Sequence, residues 1–283
     1  MKRILSIQDI SCLGQCSLTI ALPVISSRGI EVSILPSALM STHTGGFTGY
    51  TCLDLTDEMP KIVDHWVREG IRFDAIYTGY IGDARQFDII RHCKEVLLKD
   101  GGKLMADPAM ADNGVLYSAL DKSIIAGMRE LLKDADLIMP NLTEAAFLLG
   151  TEYKQDFTHE EIADMLKRLS DMGPAEVIIT GAVNADGKIG AMAYNAADGK
   201  ITEYYTNKKR KSYHGTGDIF ASIIVADRIN NKTMKESLKD ACEFISKSIE
   251  KTLPEKDHEY GVCFEQVLRD ERTAAGEDVS ISL

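Results

Sequence analysis

Long apolar runs, a surplus of basic charge and a second close pair of cysteines are all missing from this chain of 283 residues. No segment approaches the ~18 consecutive apolar residues that a membrane helix needs. The opening MKRILSIQDI carries two basic residues, but its apolar stretch is too short for a secretory signal. The default expectation is therefore a cytoplasmic protein with no membrane partner. Lys and Arg number 32 against 43 Asp and Glu, a net charge of −11, which argues against a general nucleic-acid or anionic-membrane binder. Any phosphate must be held by local groups. The six cysteines, Cys12, Cys16, Cys52, Cys93, Cys242 and Cys263, include one close pair and no second pair to complete a zinc site, so they read as reduced thiols, mostly in the core. Seven prolines and an apolar content of 45% give no hint of disorder or fibre. Internal repeats and linkers are also lacking, so residues 1–273 read as one domain followed by a short tail at 274–283.

What is present is an alternation. Apolar runs suited to buried strands fall at residues 3–8, 30–36, 73–78, 103–106, 137–139 and 176–180. Between them lie helical patterns at 17–27, 57–69, 84–99, 120–132 and 160–172, with Pro23 implying a kink or a late start in the first. Such alternation builds βαβ units and a parallel sheet covered on both faces, the α/β class. Segments 189–194 and 201–205 flank a turn containing Asp198 and Gly199, which predicts an antiparallel hairpin at one edge. Helices at 218–230 and 234–250 close the pattern.

The sharpest chemical signal is HGTGDIFASII at 214–224, where two glycines, a threonine and a carboxylate stand at the mouth of an apolar helix. A helix start offers unpaired backbone N–H groups and a partial positive charge, which suits a phosphate gaining negative charge during transfer. Asp218 then sits where a base could take a proton from an attacking hydroxyl. The same residues also suit a tight turn at Gly215 and Gly217, with Asp218 capping the helix.

Ligands of open parallel sheets sit beyond the carboxyl ends of the strands. Polar residues collect there: Asp9 and Ser11, then Thr78, Gly79 and Tyr80, then Asp107 and Asp112, then Asn141 and Glu144, then Thr180 and Gly181. A carboxylate-rich rim with small hydroxyl residues is what Mg2+ and a nucleoside triphosphate require. Turn chemistry alone also puts Asp, Asn and Gly at strand ends. The basic run KKRK at 208–211 stands just before Gly215, either reaching over phosphates or forming a solvated loop. The segment STHTGGFTGY at 41–50 is too rich in Gly and Thr for a stable helix, and a loop holding Thr44 and Phe47 can fold over a small polar ring. His43 and His214 lie in glycine-rich loops and are candidates for substrate contact.

Taken in order, SIQ at 6–8, STHTG at 41–45, TGY at 78–80, DPAMAD at 107–112, PNLTE at 140–144, MGPAEVIIT at 172–180 and GTGDIFA at 215–221 resemble the pyridoxal kinases of the ribokinase-like superfamily. The resemblance runs from residue 4 to about residue 250. It implies a three-layer αβα fold whose mostly parallel central sheet carries helices on both faces. It also implies MgATP as phosphoryl donor and the 5′-hydroxymethyl group of pyridoxal, pyridoxine or pyridoxamine as acceptor. Carried over by residue, Asp218 would be the base and Gly215, Thr216 and Gly217 the anion hole, while Thr44 and Tyr80 would line the pyridine site. Asp107, Asp112 and Glu144 would organise Mg2+, with K+ as an option, directly or through water. Asn141, Thr180 and Thr216 would lie near the nucleotide, and Asp107 with Glu144 would belong to the same cofactor side. Members of this branch are commonly homodimers.

One departure stands out. Where many of these kinases have Ser directly after the SIQ strand, this chain has Asp9, with Ser11 two positions on. A carboxylate there could accept a hydrogen bond from a protonated ring nitrogen or from the 3-hydroxyl, or it could mark another heterocycle. The hydroxymethylpyrimidine kinases, with the same fold and a similar GTGD pocket, are the nearest alternative, followed by kinases of other small alcohols. A non-catalytic B6 binder is the reading from outside enzymology, and the intact GTGD argues against it.

Overall fold

The structure, a computed structural model, describes residues 1–211, 213–256, 258 and 260–274. In chain order its elements are β1 (Arg3–Ser11), α1 (Leu18–Ser26), β2 (Glu31–Met40), β3 (Cys52–Asp54), α2 (Met59–Arg68), β4 (Phe73–Thr78) and α3 (Arg85–Leu97). Then follow β5 (Leu98–Ala106), β6 (Ala111–Asp112), β7 (Val115–Leu116), α4 (Ser123–Leu132), β8 (Leu137–Ile138), α5 (Leu142–Leu149) and α6 (His159–Ser170). The chain ends with β9 (Glu176–Val183), β10 (Ile189–Asn195), β11 (Lys200–Thr206), α7 (Thr216–Ile229), α8 (Met234–Thr252) and α9 (Phe264–Ala274).

The main sheet has the order β11-β10-β9-β8-β5-β4-β1-β2-β3. Its six central strands pair in parallel, and antiparallel β3 on one edge and β10 and β11 on the other complete it. Successive side chains of a strand point to opposite faces, so each central strand feeds two cores. Leu5, Ile7, Phe73, Ile76, Leu104, Ile138 and Val177 pack against α2 to α6. Ile4, Ala75, Tyr77, Met105, Leu137 and Ile178 pack against α1, α7, α8 and α9. The α/β class, the three layers and the edge hairpin are thus all present.

Several boundaries differ from expectation. β1 continues to Ser11 instead of stopping at Gln8, because pairing with β2 resumes after a slip between Gln8 and Ile10. The apolar run ends earlier than the strand because the last side chains face a polar cavity. Asp9 and Ser11 therefore lie on a strand, with Asp9 at the irregularity, a device that re-aims side chains. α1 starts at Leu18 and carries Pro23 inside it, so the late start is not what occurs. α5 was hidden in what reads as a turn. Its ends are nevertheless marked: Asn141 and Glu144 form a capping box, and Gly150 at φ 68° closes the helix. α9 also goes beyond the expected elements, as do β3 and the small β6–β7 pair. The tail expected at 274–283 lies, from residue 275 on, outside the described residues. Among the described residues no helix is long and apolar enough to cross a membrane.

Candidate active site

A cavity of about 630 Å3 opens at the carboxyl ends of the parallel strands. Every residue given a catalytic, substrate, nucleotide or metal role in the sequence lines it, while Gly79 and Phe47 do not. Asp9 and Ser11 come from β1, Thr44 from the 41–50 loop, Tyr80 from the turn after β4, and Asp107 and Asp112 from the segment after β5. Asn141 and Glu144 come from the start of α5, Thr180 from β9, and Gly215, Thr216, Gly217 and Asp218 from the start of α7. Thr78, also collected at a strand end, is fully buried and does not reach the cavity lining.

The start of α7 is built by its two glycines in different ways. Gly215 has φ 81°, and a Cβ there would lie 2.1 Å from the Gln15 carbonyl oxygen and 2.6 Å from Ile20 Cδ1. It is glycine because the backbone turns left-handed against a neighbour. Gly217 has no such constraint, and a Cβ on it would meet nothing within 4 Å. Its open side faces the cavity. The N-cap glycine has no side chain to cap this helix, so the amides of Thr216 and Gly217 keep their donors for a ligand. The Asp218 carboxyl takes the Ser17 backbone N–H, together with its own. Burial pushes the carboxyl up to about 7, the nearby Asp9 charge adds to this, and the Ser17 N–H opposes it. A group that ionises near neutrality is suited to accept a proton.

Across from it stands an acidic wall. Burial raises Asp107 well above the usual carboxylate range, and the charges of Glu144 and Asp218 add to that. Burial also pushes Glu144 up to about 8, although its oxygens accept the backbone N–H groups of Asn141 at 2.8 Å, Met110 at 3.0 Å and Ala111 at 3.4 Å. Both Glu144 oxygens are thus engaged: Oε1 ties the 107–112 segment to α5, and Oε2 closes the capping box at the start of α5. Asn141 is likewise committed: Oδ1 caps α5 through Thr143 and Glu144, and Nδ2 donates to the Ala111 carbonyl at 2.8 Å. Asp112 is more exposed and accepts from the Asn113 backbone N–H at 2.8 Å. Among the described residues no three acidic, His or Cys side chains form a ready-made metal cage. What remains is a run of carboxylates raising one another's proton affinity, an arrangement that a cation relieves.

On the opposite flank Asp9 is buried, accepts from Ser11 Oγ at 3.0 Å and is raised first by burial, with Ser17 and Ser11 opposing. His43 packs edge-on against Phe47, ring centroids 5.0 Å apart, and tilts against His214 at 5.1 Å. Its Nε2 donates to the Tyr260 carbonyl at 3.0 Å, and burial lowers its proton affinity. A Cβ at Gly45 would lie 2.4 Å from the His214 ring, so the 41–50 loop rests directly on the residue preceding Gly215.

The remaining flank is one that sequence reasoning missed. Ile189, Gly190, Phe220, Cys242, Ile245 and Ile249 give an apolar slot between the β10–β11 hairpin and α8. Cys242, Ile245 and Ile249 fall at helical spacing and look like ordinary core, and only the packing shows that they border a cavity. Lys208, Lys209 and Lys211 of the basic run line the same cavity, and Lys209 also pairs with Glu250 on α8.

The family model for phosphomethylpyrimidine kinase matches residues 32–262. Pyridoxal kinase of Bos taurus is 27% identical over 262 residues, covering 85% of this chain and 81% of its own length. A crystal structure from Bacteroides thetaiotaomicron, assigned the name phosphomethylpyrimidine kinase and crystallised with pyridoxal, is 39% identical with a TM-score of 0.90 and covers 95% of both chains. Pyridoxal kinase from Lactobacillus plantarum superposes with a TM-score of 0.88 at 29% identity, covering 98% of this chain and 99% of its own. With a family model spanning most of the sequence and relatives aligned nearly end to end, this chain belongs to the phosphomethylpyrimidine kinase family.

Proposed function

We propose that this protein is an ATP-dependent kinase that phosphorylates the 5′-hydroxymethyl group of pyridoxal, pyridoxine or pyridoxamine. The observation that carries this reading is the position of Asp218: it stands beside the uncapped amides of α7, between the Asp9 flank and the apolar slot, in one cavity. The pyridoxal bound to the 39% identical relative supports the acceptor, and the kinase names of the relatives support the donor.

In this mechanism the adenine enters the slot bordered by Ile245 and Ile249, and the lysines at 208, 209 and 211 draw the phosphates toward Gly215–Gly217. The amides at the start of α7 stabilise the equatorial oxygens as charge spreads over them. Asp218 accepts the alcohol proton as the oxygen attacks in line, and the loop holding Thr44 excludes water. The acidic wall fits Mg2+ because its carboxylates repel one another. Since Glu144 is saturated by backbone donors, Asp107 and Asp112 would hold the ion, with Glu144 acting through water. When bound, Mg2+ neutralises phosphate charge. Both this assignment and K+ are read by one expectation. Burial raises the proton affinity of Asp107, Glu144 and Asp218 alike, and Asp218 and Glu144, pushed up to about 7 and about 8, are protonated at about pH 5 and ionise as pH rises through those values. Ionisation there costs folded-state stability, and a cation competes with protons for the same oxygens. Mg2+ should therefore raise the melting temperature clearly at about pH 8 and little at about pH 5. An equal shift at both values rules out this wall as the ion's site, and the same titration with K+ replacing Mg2+ tests the monovalent option.

The family description itself favours a second reading, a pyrimidine alcohol as acceptor. Asp9 bears on the choice, because a buried carboxylate pairs best with a heterocycle that carries a proton on its ring nitrogen. Asp9→Ala should weaken pyridoxal binding by about 10-fold or more, as expected for losing a charge-assisted hydrogen bond, and leave ATP binding unchanged. Calorimetry that finds unchanged pyridoxal affinity removes Asp9 from the ring site. The decisive assay couples ADP release to each candidate alcohol. Fast turnover with a B6 vitamer and slow turnover with hydroxymethylpyrimidine and ribose supports the proposal, and the reverse order overturns it. Tight pyridoxal binding without ATP consumption would instead make the protein a binder. The homodimer belongs to the same proposal and is read by light scattering.

A further inference from the structure

Behind the cavity, α7 meets the sheet through an apolar interface, with Ile219, Ile223 and Ala226 in one buried cluster with Ile4 and Ala75. Three wholly buried polar side chains interrupt it: Gln8 on β1, Tyr77 on β4 and Ser222 on α7. Strand pairing brings them together. Ser6 lies opposite Tyr77, and Gln8, two residues on and on the same face, donates through Nε2 to Ser6 Oγ at 2.9 Å. The Tyr77 hydroxyl sits within the influence of Ser222 and Gln8, and of the Asp107 and Asp218 charges. Gln8 Oε1, Tyr77 Oη and Ser222 Oγ are each buried without a hydrogen-bond partner, an arrangement that an internal water between them would satisfy.

Gly79 gives an independent sign that this arrangement is specified. Its φ is not in the left-handed region, so its backbone does not require glycine. A Cβ there would instead lie 2.6 Å from Gln8 Oε1 and 2.8 Å from Gln8 Cδ. Position 79 is kept bare so that the Gln8 amide can lie across it.

An apolar trio of the same shape would pack here at no cost, whereas buried polar groups are unfavourable unless they pair. What pairing through an internal water adds is direction: hydrogen bonds fix a helix along its axis where apolar contacts let it slide. Each member also adjoins a cavity residue. Gln8 precedes Asp9, Tyr77 and Gly79 lead into Tyr80, and Ser222 lies one helical turn beyond Asp218.

We propose that Gln8, Tyr77 and Ser222 gather an internal water into a polar clamp that sets the start of α7, and with it Asp218 and the amides of 215–217, at a fixed height against β1 and β4. They are positioning residues, acting through Asp218 and without touching substrate. The proposal rests on the kinase reading for its catalytic consequence.

Tyr77→Phe removes one oxygen and keeps the ring. The clamp predicts that kcat for pyridoxal phosphorylation falls by about 10-fold while the KM for ATP and the melting temperature stay near wild type, because a small displacement of a base weakens catalysis out of proportion to stability. It also predicts that the acid limb of the pH–rate profile moves, since the Asp218 surroundings change, and that amide hydrogen exchange at 215–219 accelerates. Ser222→Ala should act in the same direction, Ser222→Thr should restore activity, and the Tyr77→Phe, Ser222→Ala pair should be less than additive. Wild-type kcat, acid limb and exchange in both single variants overturn the clamp. A loss of melting temperature with kcat and acid limb unmoved reduces it to a packing role and equally overturns it. If the wild-type protein turns over no vitamer, the kinase reading has failed, and exchange at 215–219 still decides the clamp.

Discussion

Asp218→Asn should lower kcat on the order of 10²- to 10⁴-fold, the range for removing a general base, while changing KM for either substrate far less. The substitution preserves volume, and the amide oxygen can still accept the Ser17 N–H that the carboxylate takes now. What disappears is the ability to take a proton. The pH profile provides the internal control. Because burial and the Asp9 charge push the Asp218 carboxyl up to about 7, it is protonated below that pH and cannot act as a base. Wild-type kcat should therefore fall with decreasing pH below about 7, and the residual activity of the variant should lack that limb. Near-normal turnover in Asp218→Asn defeats the assignment of the base.

The two glycines of the α7 start should separate fold from chemistry. Gly217→Ala should leave the melting temperature at or above wild type, because the backbone is already compatible and alanine is the better helix former by about 1 kcal/mol. Its methyl group, however, projects into the open side of the anion cradle, where it meets no protein atom within 4 Å. Loss of close approach to the phosphate should reduce kcat/KM for ATP on the order of 10²-fold, comparable with losing one oxyanion donor. Gly215→Ala should do the opposite kind of damage. A left-handed alanine costs about 1–2 kcal/mol, and overlap with the Gln15 carbonyl and Ile20 adds to that, so the melting temperature itself should drop. Steady-state kinetics and thermal melts on the two variants test this together. Wild-type kcat/KM for ATP in Gly217→Ala would mean that phosphate does not rest against that residue.

Most of the cavity's polar lining was legible because strand ends in a parallel sheet must converge on one edge, so collecting polar residues after each apolar run collects neighbours in space. Asp9, Asp107, Asn141 and Thr180 are far apart in the chain but share that rule. Less legible were features whose signal is not apolar periodicity. The far end of β1 reads as loop because its residues turn polar where they meet the cavity, and α5 reads as a turn because only its caps mark it. The lining from Ile189, Cys242, Ile245 and Ile249 was indistinguishable from core, since an apolar side chain facing a ligand slot and one facing a helix follow the same spacing.

The order of apolar and helical periods, the glycine-bracketed helix start and the charge balance, all written in the linear chain, determined the α/β class, the hairpin edge and a carboxylate at the start of a helix. Local composition suffices for these because they depend on side-chain periodicity and on backbone freedom at single residues. Tertiary structure alone decided which carboxylates are free to meet a ligand. Glu144 is already bonded to three backbone N–H groups, whereas burial raises the proton affinity of both Asp107 and Asp218, and the charges of Glu144 and Asp218 add to it at Asp107. Proton affinity and ligand capacity depend on burial and on distances between groups far apart in sequence, and these exist only once the strands are side by side.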